Sequence, residues 1–173
     1  GTTLNLEVHN HPSVNGITLN RTAINDISPQ CTGGGISITC AGGGNGAVQE
    51  FIFTSAPTVL SGVPPAVGWV FTYDSGTRNA AISNLQNPGG AGFTLRAKMF
   101  AYNAQNTSPC YDSSPNFSTK PSTIVCAGVP FTYNQLAFDS DGDSLVYSWA
   151  RPLDDFNGAF TSTNPAPIPF NGG

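Results

Sequence analysis

Residues 69–99, "WVFTYDSGTRNAAISNLQNPGGAGFTLRAKM", decide the fold class. At one end Trp69, Phe71 and Tyr73 recur at every second position. At the other, Phe93, Leu95, Ala97 and Met99 alternate with Thr94, Arg96 and Lys98. Side chains of a strand point to opposite faces in turn, so a period of two is the signature of a strand and not of a helix. The connection contains "NPGGAG", a turn cluster. Only "TRNAAISNLQ", residues 77–86, offers a short helix.

The same alternation recurs on either side. Leu4, Leu6 and Val8 share a face, as do Ile36, Ile38 and Cys40, then Val129, Phe131 and Tyr133, then Leu145, Tyr147 and Trp149. Between these runs lie "CTGGG", "AGGGNG", "SGVPPAVG" and "DSDGDS", and a Ser- and Pro-rich cluster at residues 112–116. Many short strands with Gly and Pro punctuation predict an all-β chain of antiparallel sandwiches. A boundary is expected near 103–109, "NAQNTSP", where one set of strands ends and another begins. This divides the chain into modules 1–104 and 105–173. The second is short for an Ig-like sandwich of ~100 residues, and is read as truncated or minimal.

Composition excludes several function classes. Hydrophobic residues make up 39% of the 173, with eleven Phe, five Tyr and two Trp, enough for a packed core. Charged residues are only 9%, against the ~25% of ordinary soluble domains. Neutral polar side chains take their place, which suits an extracellular protein. Net charge is −4 with six basic residues, so the footprint of a nucleic-acid binder is missing. No apolar run approaches the ~20 residues of a membrane-spanning helix, and membrane insertion is not expected. With no initiating Met and no signal peptide, the chain reads as a mature piece or a segment of a longer one.

Four cysteines allow three full pairings. Cys31 with Cys40 and Cys110 with Cys126 is the pairing chosen, because each pair brackets a loop rich in Gly, Ser or Pro. Zinc would want closely spaced thiolates, and no C-x-x-C occurs. Disulfides imply an oxidising compartment.

The densest charge is in "FDSDGDSLVYSW", residues 138–149. Asp139, Asp141 and Asp143 alternate, so in extended backbone their carboxylates share a side, with Gly142 allowing a sharp turn. Calcium takes six to eight oxygens, several from carboxylates, and would relieve their repulsion. The EF-hand pattern fails, with Ser144 at its glycine position and Ala150 at its closing glutamate. A solvated turn is the other reading, since Asp favours turns in its own right.

"DSDGDSLVYSW" resembles the D-x-D-G-D-S-L-x-Y signature of PKD-like and cadherin-like repeats in bacterial surface proteins. "NTSPCY" is similar to the opening of such repeats. Together with "VQEFIF" and the 69–99 stretch, residues 20–170 resemble a module of giant cell-surface adhesins of gliding bacteria, exported by the type IX secretion route. The resemblance implies that Asp139, Asp141 and Asp143 ligate Ca2+, with Asn106 and Asn103 contributing from the linker and Glu50 or Asp74 as lesser candidates. It implies tandem Ig-like or cadherin-like sandwiches, calcium-stiffened, on the bacterial cell surface, used in attachment and gliding. The partners would be neighbouring modules of the same chain and an extracellular surface or polysaccharide. Relatives carry cysteines where this chain has Gly76 and Thr77, and they continue beyond its last residue.

Other features carry less. His9 and His11 share a strand face but lack a third ligand. Ser75 has no histidine base or nucleophile elbow nearby in sequence. Arg78 and Asn79 suit the capping of buried carbonyls. Asp154, Asp155 and Glu50 show no spacing of a glycosidase pair. The glycine clusters lack a P-loop lysine. Asn20, Asn106 and Asn116 sit in N-x-S/T sequons. The Trp69, Phe71 and Tyr73 stripe reads as core before it reads as a carbohydrate platform. No catalysis is expected. The alternatives are a polysaccharide-binding module and a non-catalytic appendage of a secreted hydrolase.

Overall fold

The computed structural model describes residues 1–28, 48–102, 113–120, 130, 132–156 and 159–172. They are almost entirely strand and loop. The strands are β1 (Thr3–His9), β2 (Gly16–Asp26), β3 (Gln49–Thr54), β4 (Trp69–Ser75), β5 (Phe93–Met99), β6 (Asn116–Phe117) and β7 (Ala137–Phe138). β1 to β5 form one sheet in the order β3-β2-β1-β4-β5, and β6 pairs with β7. The registered pairs β1–β4, β2–β3, β4–β5 and β6–β7 are all antiparallel. The all-β antiparallel expectation therefore holds.

The chain forms two compact units. One comprises residues 1–4, 20–54 and 112–146, and the other residues 5–19, 55–111 and 147–173. The expected boundary near 103–109 falls outside the described residues, as do Cys31, Cys40, Cys110 and Cys126 with their proposed pairings, and the Ile36 to Cys40 run.

In the second unit, β4 and β5 pair without a break from Trp69 with Met99 to Ser75 with Phe93. β4 also pairs with β1, from Glu7 with Thr72 to His9 with Val70. Flanked on both edges, β4 carries the most buried side chains, Trp69, Val70 and Thr72. The aromatic stripe is thus only partly a core face: Trp69 is buried, while Phe71 and Tyr73 are half-buried. A second apolar cluster joins Leu85, Ala91 and Ile168, with Ile82 against it. The segment after Pro165 is sewn down beside it. Ile168 N donates to Pro152 O, Gln86 N to Pro169 O, and the Asn171 side chain to both Ser83 O (2.6 Å) and Leu85 O (2.9 Å).

In the first unit, β2 pairs with β3 across a register shift between Arg21 and Ala23. Sequence reading did not anticipate β2, although it is the longest strand among the described residues. Its inward positions are Ile17, Leu19, Arg21 and Ala23, and the arginine breaks the apolar pattern. Arg21 takes its place by resting its guanidinium 5.5 Å from the centre of the Phe51 ring.

Two expectations are corrected. Residues 77–86 form turns and not a helix, and the helical geometry among the described residues is one 3-10 turn, Pro88–Gly90. Asn79 favours this outcome by accepting Ala81 N with its side chain, a local bond that competes with helical pairing. Leu145, Tyr147 and Trp149 form no strand either, and Trp149 is fully exposed. Alternation marks which face a strand would bury, but a strand also needs a neighbour to pair with, and among the described residues no ladder reaches these.

Candidate functional site

Asp139, Asp141 and Asp143 lie in an exposed turn of the first unit, directly after β7. Asp139 Oδ1 accepts Asp141 N at 2.8 Å and Asp143 N at 3.4 Å, and Gly142 N donates to Asp139 O at 3.4 Å. Gly142 adopts φ +86°, a left-handed conformation that glycine enters without steric cost. Asp141 Oδ2 accepts the amide of Ser113 at 2.7 Å, tying the turn to a segment 28 residues earlier. The Asp139 and Asp141 carboxylates thus organise backbone by meeting amides, in the way short acidic side chains do in turns.

This arrangement is not a ready-made calcium cage. Among the described residues no group of three or more His, Cys, Asp or Glu side chains is placed to hold a metal. A calcium ion would have to draw the three carboxylates together. Asn103 and Asn106, the linker candidates, lie outside the described residues. Glu50 is committed elsewhere. It accepts Lys120 Nζ and, at 2.8 Å, Asn25 Nδ2, and these two donors hold its carboxyl below the usual range.

In the second unit, Arg78 does cap carbonyls. Its Nε donates to Gly92 O at 2.8 Å and its Nη2 to Leu153 O at 2.9 Å. Asp154 Oδ1 accepts Gly92 N (2.7 Å) and Asp155 N (2.9 Å). Gly92 is required by close approach, because a Cβ there would sit 2.6 Å from that of Asp155 and closer still to Ser75 O. The Asp155 carboxyl is raised above its ordinary value, first by hydrogen bonding with the Asp154 side chain, then by burial and by the charges of Asp154 and Asp74. The network fastens loops around β5.

The two histidines part company. His11 Nδ1 accepts Val14 N at 2.9 Å and Ser13 N at 3.2 Å, and its ring lies 4.5 Å from that of Trp69. His9 Nε2 bonds to the wholly buried Thr72 hydroxyl at 2.7 Å, and Glu7 stands 3.7 Å away. Burial lowers the His9 pKa, partly offset by the Glu7 charge. His9 is also the wall of an open hollow of about 400 Å³, lined by Glu7, His9, Asn10, Phe156, Ala159 and Phe160. Phe160 stacks on the His9 ring at 4.3 Å and 16°, and Phe156 meets Phe160 edge-on at 6.4 Å and 79°. Sequence reading missed this hollow. Its two walls are far apart in the chain, Glu7, His9 and Asn10 on one side and Phe156, Ala159 and Phe160 on the other, and the one signal was the His9 and His11 pair, read as a metal question.

Comparison with protein-family models, curated proteins and solved structures finds no match.

Proposed function

We propose that the chain is a non-catalytic, structural and adhesive segment of a large secreted surface protein of a gliding bacterium, built from Ig-like or cadherin-like β modules and stiffened by calcium. The observation that carries the reading is the bond from Ser113 N to Asp141 Oδ2. It makes the acidic turn a clamp on a distant segment, so whatever binds the turn also acts on that segment. The neutral, polar composition, with 9% charged residues, supports an extracellular setting. The likeness of "DSDGDSLVYSW" to cadherin-like repeats supports the calcium. In this reading the ion gathers Asp139, Asp141 and Asp143 on binding and fixes the turn against Ser113. Modules made rigid in this way hold an adhesive surface away from the cell and transmit traction.

The test is a thermal melt with calcium and with excess EGTA, beside Asp141→Ala. A ligand that binds only the folded state at a hundred times its Kd adds ~2.7 kcal/mol, and each kcal/mol moves Tm by about 2–4 °C in a chain of this size. A rise of several degrees in calcium, lost in Asp141→Ala, is expected. Identical melts in calcium and EGTA would remove calcium from the proposal.

A further inference from the structure

We propose that the hollow between β1 and the Phe156, Ala159 and Phe160 side chains is a binding subsite for one neutral pyranose unit of a polysaccharide. A pyranose has an apolar face of C–H groups and a rim of hydroxyls. It needs an aromatic surface with hydrogen-bond acceptors close beside it. The hollow supplies both. Phe156 and Phe160, set at 79°, form an apolar corner. Glu7, with 41% of its side chain exposed, presents a carboxylate at the rim. Asn10 stands next to it in a left-handed conformation at φ 66°, and its Nδ2 is committed to Gly68 O at 3.2 Å, which leaves its amide oxygen as the acceptor on offer. Asparagine is one of the few residues that enter this backbone region readily.

The platform is held in place. His9 lies flat against Phe160, and its Nε2 is fixed by Thr72 at 2.7 Å, a side chain rooted in the doubly flanked β4. A corner that does not have to be ordered on binding loses less of its interaction free energy. About 400 Å³ lies within the range of small-ligand sites, and the open form suits one residue of a chain that continues past it.

Other ligands fit less well. Among the described residues no lysine or arginine lines the hollow, so an anion has no counter-charge. An alkylammonium group wants several bare ring faces, and His9 already covers one face of Phe160. Glu7 and His9 alone are too few for a metal. The inference is independent of the calcium reading, since none of residues 139–143 takes part.

Saturation-transfer NMR on the whole chain would use the methyl glycosides of glucose, galactose and mannose, with tetramethylammonium as the cationic control. The proteins are the wild type, Glu7→Gln, and Phe156→Leu, which keeps an apolar side chain but removes the ring. Each is checked for a folded spectrum, and every titration is repeated in EGTA. At least one glycoside should bind saturably at millimolar concentration, through its ring C–H protons and equally well in EGTA. Glu7→Gln should weaken it about tenfold, equivalent to ~1.4 kcal/mol, and Phe156→Leu should abolish transfer to the C–H face. The proposal is overturned if no glycoside saturates the folded wild type, if both variants bind as the wild type does, or if tetramethylammonium binds in preference to all three sugars.

Discussion

Asp155 carries its proton at a higher pH than a free aspartate does, and the cause lies in two neighbours, Asp154 first and then Asp74, together with burial. Folding therefore favours the protonated acid. Its contribution is fully present below the ordinary value of 3.8, is lost as pH rises towards the folded value, and leaves a constant penalty above it. Asp155→Asn should raise Tm at pH 7, and the gain should vanish near pH 3; melts across that range check it, and a gain independent of pH would refute the cause. His9 works in the opposite sense. Its lowered pKa leaves its stabilisation intact above 6.5 and erodes it as pH falls from there. At this scale the sequence was only partly legible. The Asp139 turn could be read because its carboxylates are neighbours in the chain, and Arg78 could be read as a carbonyl cap. Thr72, wholly buried, could not, because a hydroxyl is buried only where a partner such as His9 waits, and that partner is 63 residues away.

Between β4 and β5 the connection has no α-helix to fill it, so side chains hold it in place. Arg78 satisfies two carbonyls, Gly92 O and Leu153 O, from one guanidinium. Arg78→Met keeps the apolar stem and removes both donors. A hydrogen bond to a charged group contributes ~1.5–3 kcal/mol, so losing both should cost about 3–6 kcal/mol in urea unfolding; a loss below the range of a single such bond would show that water replaces the guanidinium. β1, β4 and β5 were legible because long alternating runs coincide with real neighbours. β2 was hidden by Arg21, an inward charge that alternation counts as outward. The 145–149 run failed in the reverse way, with a clean pattern and no ladder among the described residues. Period-two patterning reports side-chain preference, while a sheet also depends on which strands arrive at its edges, and that information is not local.

Across the whole molecule the scarcity of charge has a direct thermodynamic consequence. With 9% charged residues, and exposed pairs such as Lys120 with Glu50 among the few ion pairs described, little of the stability rests on screened interactions. Raising sodium chloride tenfold from low salt should shift Tm by less than about 3 °C, since exposed ion pairs contribute only ~0–1 kcal/mol each; a larger change would point to a charge network. The all-β class was legible at this scale from composition and punctuation together. The tie of residues 168–171 was not, because its bonds reach back to residues 83–86 and 152, and the Asn171 side chain spans two carbonyls at once through its NH2. That amide precedes Gly172, the neighbour least able to shield an asparagine from attack by the next backbone nitrogen. Slow deamidation would replace a double donor with a carboxylate facing the oxygens of Ser83 and Leu85, so the clasp would turn from attraction to repulsion. The protein thus carries a chemical clock at this seam: stored in warm, alkaline solution, it should lose the Asn171 clasp while the backbone bonds from Ile168 to Pro152 and from Gln86 to Pro169, and the β4–β5 ladder, still hold.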